Sequence, residues 1–531
     1  MLSLTKKDSA PATSDPALEE GGHRPHGRQE LTTTNILAVI VAGLGSFTFG
    51  YANNATAGSF AQTTFIAKFL SGSNADSVIC GIIGGFLGGG YIGAIIQAPI
   101  SNRWGRKAAT GTGAVLVMIS AALDAGAVDI AMFAVFRMTC GIGAGMLLAN
   151  CPVYMSEIAP PHLRGMLVGN HAISIVWAYV ISSCIALGFH FIEESYQWRM
   201  QFVVLTFVAM LLVASLFLLP ESPRWLCEQE RYDDAWKILK NLNKTTADPE
   251  AVTAAAEMAQ IRAQIIEERT LPRGYVYIFK TPHLRHRAFC GILTWIMGQS
   301  TGMLVIANLT PTLFATLGYG TVLQLALAIV WCVCAMIGCY INAAIMDRVG
   351  RVKLLVFGGY LCTATMICEA VLQKYYLDGH NKSGVNGAVA MYFLFGVFYG
   401  STVDCAAYVY IAEIWPTHLR SYGVTIGLTS FFALALAFTT PASAGFSAIG
   451  WKYYFPMIAT CICSTTAIAF VCPETAGLTL EEINRKFGDN VALELNTAEA
   501  VAQAMMKGGA MHFENAQARD PDEYPLEEKT N

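Results

Sequence analysis

Twelve apolar segments, each about as long as a membrane-spanning helix, occupy most of the sequence. They lie near 35–56, 79–100, 108–127, 129–153, 166–190, 199–219, 286–310, 320–345, 353–373, 387–413, 422–446 and 453–472. A helix needs about 20 predominantly apolar residues to cross the roughly 30 Å hydrocarbon core of a bilayer. The segments therefore predict an all-α membrane protein with twelve transmembrane helices, six on each side of a polar insert at 220–285.

The composition excludes a soluble globular protein. Charged residues make up only 14% of the chain and hydrophobic residues 54%, whereas soluble domains carry about 25% charged residues. The sequence also lacks a nucleophile–base pairing, a cluster of metal ligands, and a phosphate loop in the strand-to-helix context that such a loop needs. We therefore expect a protein embedded in the lipid bilayer that is not an enzyme, uses no cofactor or metal, and binds no nucleic acid.

A motif at the end of one apolar segment returns in the other half of the chain. The sequence YMSEIAPPHLR at 154–164 is matched by YIAEIWPTHLR at 410–420, 256 positions later. The loop motifs NRWGRK at 102–107 and DRVGR at 347–351 form a second pair, and PES at 220–222 and PET at 473–475 form a third. The sequence therefore contains an internal repeat in which the second half of the chain repeats the first. This repeat predicts two six-helix bundles at 35–219 and 286–472. Parallel repeats of this kind build secondary transporters with the site between the halves.

The short loops between the apolar segments alternate between rich and poor in cations. The cation-rich loops hold Arg103, Arg106, Lys107, Arg164, Arg348, Arg351, Lys353 and Arg420. By the positive-inside rule, these loops, the insert and both termini are expected in the cytoplasm, and we expect the plasma membrane as the location. The terminal segments 1–34 and 473–531 are expected to be cytoplasmic, and 1–34 and the part after Gly488 are polar enough to predict disorder.

Acidic residues at the same helix ends offer partners for these arginines. Arginine is always charged and grips a carboxylate in a bidentate fork. We therefore predict a cytoplasmic gate composed of Arg103, Arg106, Glu157, Arg164, Glu221, Arg348, Arg351, Glu413, Arg420 and Glu474. The alternative is that the arginines only satisfy the positive-inside rule.

Several polar residues lie inside the apolar segments, where they are costly unless they face a cavity or a partner. Arg137 lies well inside the fourth segment and is expected to face the central cavity or to meet an acid or carbonyl groups. Asp404 is either a proton carrier or substrate acceptor, or a structural partner of Arg137 or a neighbouring helix. In the seventh segment, Gln299, Asn308 and Pro311 predict a broken helix that lines a pocket.

The insert, the cysteines and one possible glycosylation motif allow three further predictions. The insert contains two stretches typical of helices, at 228–243 and 249–269, which either latch the two halves or form a solvated linker. The 15 cysteines lie mostly within apolar segments and are expected to act as small hydrophobes. Asn381, in an outward loop, begins an Asn-Lys-Ser acceptor motif and is a candidate glycosylation site.

Taken together, these motifs resemble those of the sugar porter family of the major facilitator superfamily, in its fungal type. The resemblance covers about 35–485. It rests on the paired loop motifs, on the series Arg137, Pro152, Tyr154, Glu157, Pro160 and Arg164, and on PETAGLTLEEI at 473–483. It implies a twelve-helix transporter in which the arginine and glutamate clusters clasp the cytoplasmic side when the carrier faces outward.

Pocket positions depart from those of the family members that carry hexoses. The resemblance places a sugar-binding Gln where this chain has Ala172, and of an expected Gln pair only Gln299 remains. Leu304 replaces an Asn, and Asn308 begins the pair that replaces two tyrosines. Because amides both donate and accept hydrogen bonds to hydroxyl groups, their loss weakens the expectation of a hexose without weakening that of a transporter.

The coupling position departs as well. Proton symporters that resemble this chain carry an Asp in the first helix opposite the arginine of the fourth, and this chain has Ala52 there. An alanine cannot titrate. The protein is therefore expected to be either a uniporter or a symporter in which Asp404 has become the acid that faces Arg137.

These observations predict a monomeric secondary transporter that moves a sugar or sugar-like polyhydroxylated solute by alternating access, alone or with protons. The expected substrate-binding residues are Asn53, His171, Trp177, Gln299, Asn308 and Tyr408, and the coupling candidates are Asp404 and Arg137. Aromatic faces and a few amides suit a flat, hydroxylated molecule. Two alternatives remain open: the same fold carrying a less polar metabolite, and a solute sensor that does not transport.

Overall fold

The structure is a computed structural model that describes residues 33–72, 74–159, 164–192, 196–243, 252–269, 271–376, 382–478 and 480–488. Within these ranges the chain is almost entirely helical and forms no β-strand. The glycosylation candidate Asn381, most of the N-terminal segment and the tail after Gly488 lie outside the described residues. The predictions made for them remain predictions.

The first half contains six long helices and one short one. They are α1 (Thr33–Phe60), α2 (Thr63–Phe69), α3 (Ala75–Trp104), α4 (Arg106–Ala125), α5 (Ile130–Ile158), α6 (Arg164–His190) and α7 (Tyr196–Ser215). The six long helices match the six apolar segments predicted before the insert. Helix α3 packs closely on α5 because glycines on both helices remove the side chains that would separate them.

The insert folds into four short helices: α8 (Pro223–Glu228), α9 (Tyr232–Leu242), α10 (Val252–Arg269) and α11 (Tyr275–Lys280). Helices α9 and α10 lie within the two stretches predicted to be helical. Helices α8, α9 and α10 enclose a small apolar core of their own. Trp225 Nε1 attaches this core to the first half by donating to the carbonyl of Asn102 at 3.0 Å. Tyr275 of α11 donates to the carbonyl of Ile95 and packs edge-on against Tyr422, so it touches both halves.

The second half repeats the six spans with two interruptions. Its helices are α12 (Pro282–Ser300), α13 (Met303–Thr316), α14 (Thr321–Val349), α15 (Arg351–Tyr376), α16 (Lys382–Tyr399), α17 (Cys405–Glu413), α18 (Arg420–Thr439), α19 (Ala442–Ile449), α20 (Tyr454–Val471) and α21 (Leu480–Phe487). Helices α12 and α13 form one span, and α16 and α17 form another through the π-helical turn Gly400–Asp404. The apolar stretch Arg420–Val471 folds back through α19 and crosses twice, which completes twelve spans within the described residues.

The seventh span is broken, as predicted, but the break has a different cause. Helix α12 ends at Ser300, and Gly302 starts α13 with a φ of 77°. This left-handed conformation is one that glycine adopts without steric cost. Pro311 instead lies inside α13.

The internal repeat is visible in how the helices pack. Gly141 of α5 lies against the carbonyl of Phe86, and Gly396 of α16 lies against the carbonyl of Trp331. The two contacts occupy equivalent positions of the repeat, because Trp331 lies 245 positions after Phe86 and Gly396 lies 255 positions after Gly141. The motif at 154–164 returns at 410–420, an offset of 256 positions, which is one more than the offset of the glycines. The π-helical turn Gly400–Asp404 lies between Gly396 and this motif and accounts for the added residue, because a π turn accommodates one extra residue in a helix.

The two halves meet mainly where α3 packs on α18, α6 packs on α14 and α17, and α1 packs on α13. One end of the molecule, here called the charged face, carries Arg106, Glu157, Arg351 and Glu413, and the other end is the opposite face. Near the opposite face, Ser443 Oγ donates to Asp76 Oδ1 across the halves at 2.6 Å. On the charged side of the centre, Thr425 Oγ1 of α18 donates to the carbonyl of Ala94 of α3 at 3.1 Å. Contacts between the halves on both sides of the centre leave the molecule in an occluded state.

Candidate functional site

A small closed cavity lies at the centre of the molecule, between the two halves. Residues from both halves line it: Phe49, Ile175, Val176, Tyr179, Gln299, Met303, Leu304, Tyr399, Asp404, Tyr408 and Phe431. Its volume is ≈ 20 Å³, which is room for about one water molecule. A solute of sugar size can bind only if side chains or the halves themselves move apart.

Gln299 is the polar group on the cavity wall that is most available to a ligand. It lies one turn before the break at Gly302, at the end of α12. Its side chain is buried, and neither the amide oxygen nor the amide nitrogen has a hydrogen-bond partner among the described residues. A buried amide without partners costs free energy, so this position favours a ligand that both donates and accepts.

Asp404 and Tyr408 add an acid and a phenol to the same wall. Asp404 Oδ2 accepts a hydrogen bond from Cys339 Sγ at 3.3 Å. The π-helical turn directs this carboxyl toward the cavity, because it rotates the residues that follow it relative to a regular helix. The ring of Tyr408 packs edge-on between His171 and Trp295, with ring centroids 4.6 and 4.7 Å away.

Four of the six residues predicted to bind substrate do not line the cavity, and three of these four lie just behind its wall. Asn53 lies behind it and donates to the hydroxyl of Tyr179 at 3.1 Å. Asn308 turns back on its own helix and donates to the carbonyl of Leu304 at 2.9 Å. His171 lies behind Tyr408, with its Nδ1 hydrogen-bonded to a serine hydroxyl of α1 at 2.7 Å. These side chains support the wall rather than form it.

Trp177, also predicted in the pocket, lies on the outer surface instead. Its side chain is 40% exposed, and Nε1 donates to the hydroxyl of Tyr340 in the second half at 2.9 Å. Val176 and Tyr179, three positions apart on α6, line the cavity. Trp177 lies outside this i, i+3 stripe, on a part of the helix that faces away from the cavity.

Arg137 and Asp404 form no contact with each other in the described residues. Arg137 stays within the first half, where it donates to the carbonyl of Ala52 at 3.0 Å and lies over the ring of Phe86 at 4.3 Å. The carboxyl group of Asp124 in α4 is also buried in this half, and neither of its oxygens has a hydrogen-bond partner among the described residues. The structure therefore separates the two coupling candidates, one in each half, and adds an acid that sequence reasoning missed.

The other eight lining residues are all apolar or aromatic, and the sequence indicated only Leu304 among them. They are Phe49, Ile175, Val176, Tyr179, Met303, Leu304, Tyr399 and Phe431. Such residues are frequent throughout apolar helices, so their composition gives no indication of which face lines a cavity.

The first half contributes a compact ion cluster at the charged face. Arg106 grips Glu157 with two hydrogen bonds, of 2.8 Å from Nε and 2.7 Å from Nη2, and both side chains are buried. Glu221 accepts hydrogen bonds from the backbone N–H groups of Arg106 and Lys107. Burial raises the pKa of the Glu221 carboxyl, although these N–H groups oppose the shift.

The second half builds the equivalent cluster. Arg351 donates to Glu413 at 3.2 Å and to Asp347 at 2.7 Å. Glu474 accepts from the backbone N–H groups of Arg351 and Val352 at 2.8 and 3.1 Å. In both clusters the N–H groups belong to the first turn of a helix, where a carboxylate is favoured.

The remaining predicted gate residues differ among themselves. Arg420 is buried, and its charge acts on Glu157 across the halves. Arg103 is exposed and lies over the ring of Trp104, and Arg348 is also exposed. The side chain of Arg164 lies outside the described residues.

A comparison with protein families decides the class of this chain. The profile of the family described as "Sugar (and other) transporter" matches residues 38–487, which is most of the chain. The chain belongs to this family. It is a multi-pass membrane transporter of the major facilitator superfamily and not an enzyme.

Curated members of the family include fungal relatives. The chain is 32% identical over 464 residues to the "MFS-type transporter criB" of Aspergillus cristatus, covering 87% of this chain and 95% of the relative. It is 27% identical over 438 residues to the "High-affinity glucose transporter" of Kluyveromyces lactis, covering 79% of each protein.

Solved structures of the xylose transporter XylE share the fold. The structure of the proton:xylose symporter XylE bound to 6-bromo-6-deoxy-D-glucose matches with a TM-score of 0.75 at 22% identity, covering 85% of this chain and 99% of XylE. The inward open conformation of XylE from E. coli matches with a TM-score of 0.65 at 20% identity, covering 85% of this chain and 99% of XylE.

Proposed function

We propose that this transporter moves a sugar or sugar-like polyhydroxylated solute through the central cavity by alternating access. The observation that carries the proposal is the closed cavity between the halves with the unpartnered amide of Gln299 on its wall. Hydroxyl groups of a solute satisfy both atoms of that amide. Asp404 and Tyr408 offer an acceptor and a phenol on the same wall.

The two ion clusters support the rocking motion that alternating access requires. Each cluster ties helix ends of its own half together, so each half can move as a rigid body. Arg420 of the second half adds a weaker electrostatic attraction to Glu157 of the first half at the charged face. Separation of the halves at that face would remove this attraction, which favours the closed charged face in the absence of solute.

The named relatives agree with a sugar-like solute. The Kluyveromyces lactis relative is called a glucose transporter, and XylE is called a proton:xylose symporter. We propose a plasma-membrane location with the charged face in the cytoplasm, because that face collects the loop arginines. Transport is then either uniport or coupled to protons.

A less polar metabolite is the second candidate, and the cavity lining favours it. Six of the eleven lining residues are apolar: Phe49, Ile175, Val176, Met303, Leu304 and Phe431. Two amides predicted to bind hydroxyl groups are bonded within the protein instead. The relative at 32% identity is named only as an MFS-type transporter.

The test is solute uptake into liposomes that contain only the purified protein and a pH-sensitive dye. The panel contains monosaccharides, disaccharides, polyols, cyclic acids and less polar hydroxylated metabolites, each added with and without a proton gradient. Empty liposomes serve as the control. Saturable uptake of a sugar or polyol supports the first candidate.

The other outcomes are distinct. Uptake of a less polar metabolite, with no uptake of any sugar, overturns the first candidate in favour of the second. Binding of a solute without uptake in this purified system would instead indicate a sensor. Acidification inside the liposomes that accompanies the solute distinguishes symport from uniport.

A further inference from the structure

We propose that Glu369 is a proton-binding site in the second half of the transporter, and that the bound proton stabilises the closed position of α13. The inference rests on the proposed alternating-access function. The carboxyl group of Glu369 is buried, belongs to neither ion cluster and does not line the central cavity. Four observations carry the inference: the repeat, the contacts of Glu369, its charge environment and its place beside α13.

The repeat places a buried acid at the same position of each half. Asp124 lies near the end of α4 and Glu369 lies on α15, and they are 245 positions apart. The loop motifs that begin these two helices, at Arg106 and Arg351, have the same offset. Both side chains are buried, at 0% and 4% exposure. The position is therefore a shared feature of the half-unit.

Glu369 lies in a polar cluster at the wall of a small pocket. Its Oε1 accepts a hydrogen bond from Gln373 Nε2 at 3.0 Å. The same nitrogen lies 2.9 Å from the hydroxyl of Tyr392 and 3.2 Å from that of Tyr454, and the two hydroxyls are 3.1 Å apart. The second oxygen, Oε2, has no hydrogen-bond partner among the described residues, and the pocket beside it has a volume of ≈ 10 Å³.

No cation lines this pocket in the described part of the chain. The titratable side chains that face Glu369 are Tyr392 of α16 and Tyr454 of α20, while α13 contributes the apolar Ile306. Helices α12, α14 and α17 and the π-helical turn also lie near α15 but contribute no side chain to the pocket. Lys374 points away, with its Nζ 5.3 Å from the ring centre of Trp451 in the α19–α20 connection.

The equivalent acid of the first half has a cation nearby, although neither oxygen of Asp124 has a hydrogen-bond partner among the described residues. There the charge of Arg137 acts on Asp124. At the offset of 255 that relates Gly141 to Gly396, the equivalent of Arg137 is Tyr392. A tyrosine hydroxyl carries no positive charge. Because an unpaired carboxylate in a dry pocket is costly, the occluded state favours Glu369 in its neutral, protonated form.

Helix α13 connects this pocket to the cavity. Met303 and Leu304 of α13 line the cavity, and Ile306 of the same helix lines the Glu369 pocket. Helix α13 starts at the break at Gly302 and packs on α1 of the first half. A movement of α13 that opens the opposite face therefore removes one wall of the pocket and admits water to the carboxyl group.

The proton step is a simple exchange with water. A hydronium ion gives its proton to Glu369 Oε2, an O–H bond forms there, and a neutral carboxyl group and a water molecule result. On opening, water takes the proton back and the carboxylate is solvated. Glu369 lies seven positions before the end of α15 at Tyr376, about 10 Å along the helix, so the path to the opposite face is short.

The test is infrared spectroscopy of the purified protein in liposomes without any solute, titrated with pH in H₂O and in D₂O. The wild type is expected to show the C=O band of a protonated carboxyl group that shifts in D₂O and disappears as the pH rises. Glu369→Gln should remove one component of this band, because Asp124 and Asp404 are buried carboxyl groups as well. Asp124→Asn, the equivalent change in the first half, should keep that component, and Glu369→Asp should keep it at a changed midpoint.

The outcomes are separable from the question of transport, because no solute is present. Persistence of the whole band in Glu369→Gln would overturn the proposal, as would its loss in Asp124→Asn alone. If Glu369→Gln does not fold, Glu369→Asp decides, because an unchanged midpoint there contradicts a titrating group at this position. Once a transported solute is known, Glu369→Gln should lose the pH dependence of net uptake and keep solute exchange at equal concentrations.

Discussion

Gln299 and Asn308 are two buried amides of the same broken span with opposite hydrogen-bonding situations. The amide of Gln299 has no partner among the described residues, whereas Asn308 Nδ2 donates to the carbonyl of Leu304. A hydrogen bond contributes about 0.5–1.5 kcal/mol net, and an unsatisfied buried group costs more. The difference indicates that the amide of Gln299 is available to a ligand, whereas the amide of Asn308 stabilises its own helix.

Gln299→Ala is therefore expected to raise the KM for the transported solute about tenfold, which corresponds to about 1.4 kcal/mol. Asn308→Ala is the matched control, since its amide already has a partner in α13. The measurement is the concentration dependence of uptake into liposomes. Equal KM changes in both variants would show that Gln299 does not touch the solute.

The buried pair of Arg106 and Glu157 gives a second prediction at this scale. Removing one partner of a buried ion pair costs about 3–5 kcal/mol, because the other charge stays buried without compensation. Glu157→Gln should therefore lower the Tm of the purified protein strongly. Glu413→Gln should lower it less, since Arg351 keeps its contact with Asp347, which is half exposed. Thermal unfolding of both variants in one detergent checks the order, and a larger loss in Glu413→Gln would contradict it.

At the scale of the element, two irregular helical turns place the site. Helix α12 ends at Ser300, one residue after Gln299 and before the break at Gly302, and the π-helical turn Gly400–Asp404 carries Asp404 on the same cavity wall. Interruptions in spanning helices are tolerated where the backbone is buried in protein or lines a cavity. The cavity is therefore built where two spans of the second half depart from regular helix.

Gly302→Ala should destabilise the protein by about 1–2 kcal/mol, because a left-handed backbone is costly for any residue with a Cβ. Gly291→Ala is the control in the same span. A Cβ at Gly291 would meet its nearest atoms at 3.9 Å, and alanine favours a helix over glycine. We expect a lower Tm for the first variant and an unchanged or higher Tm for the second. A Tm loss in Gly291→Ala alone would refute this account of the break.

At the scale of the whole molecule, the occluded state depends on contacts between the halves near both faces. Near the opposite face the hydrogen bond between Ser443 and Asp76 joins α19 to α3. Alternating access requires this contact to break in every cycle. It is therefore a place where a covalent link should stop transport without disturbing the core of either half.

The pair of changes Asp76→Cys and Ser443→Cys tests this requirement. Oxidation should link the halves and abolish solute uptake, and a reducing agent should restore it. Each single change serves as a control for the native cysteines, and neither should respond to oxidation. Continued uptake in the linked protein would mean that the opposite face does not open there.

The class of the protein, its spans and its repeat follow from local properties of the sequence. Hydrophobic length determines which segments cross a bilayer, and the repeated motifs fix the pairing of the halves. The motifs also predict that arginines and glutamates gather at these helix ends, whereas the structure pairs Arg106 with Glu157 and Arg351 with Glu413.

Only the tertiary structure decided which polar side chains meet. Each residue turns a helix by about 100°, so the rotation of α6 set by its packing puts Tyr179 on the cavity and Trp177 on the surface. Likewise, close approach of α4 and α5 brings Asp124 near Arg137, while Asp404 lies in the other half. Helix rotation and helix contact depend on residues far apart in the chain, which no single apolar segment encodes.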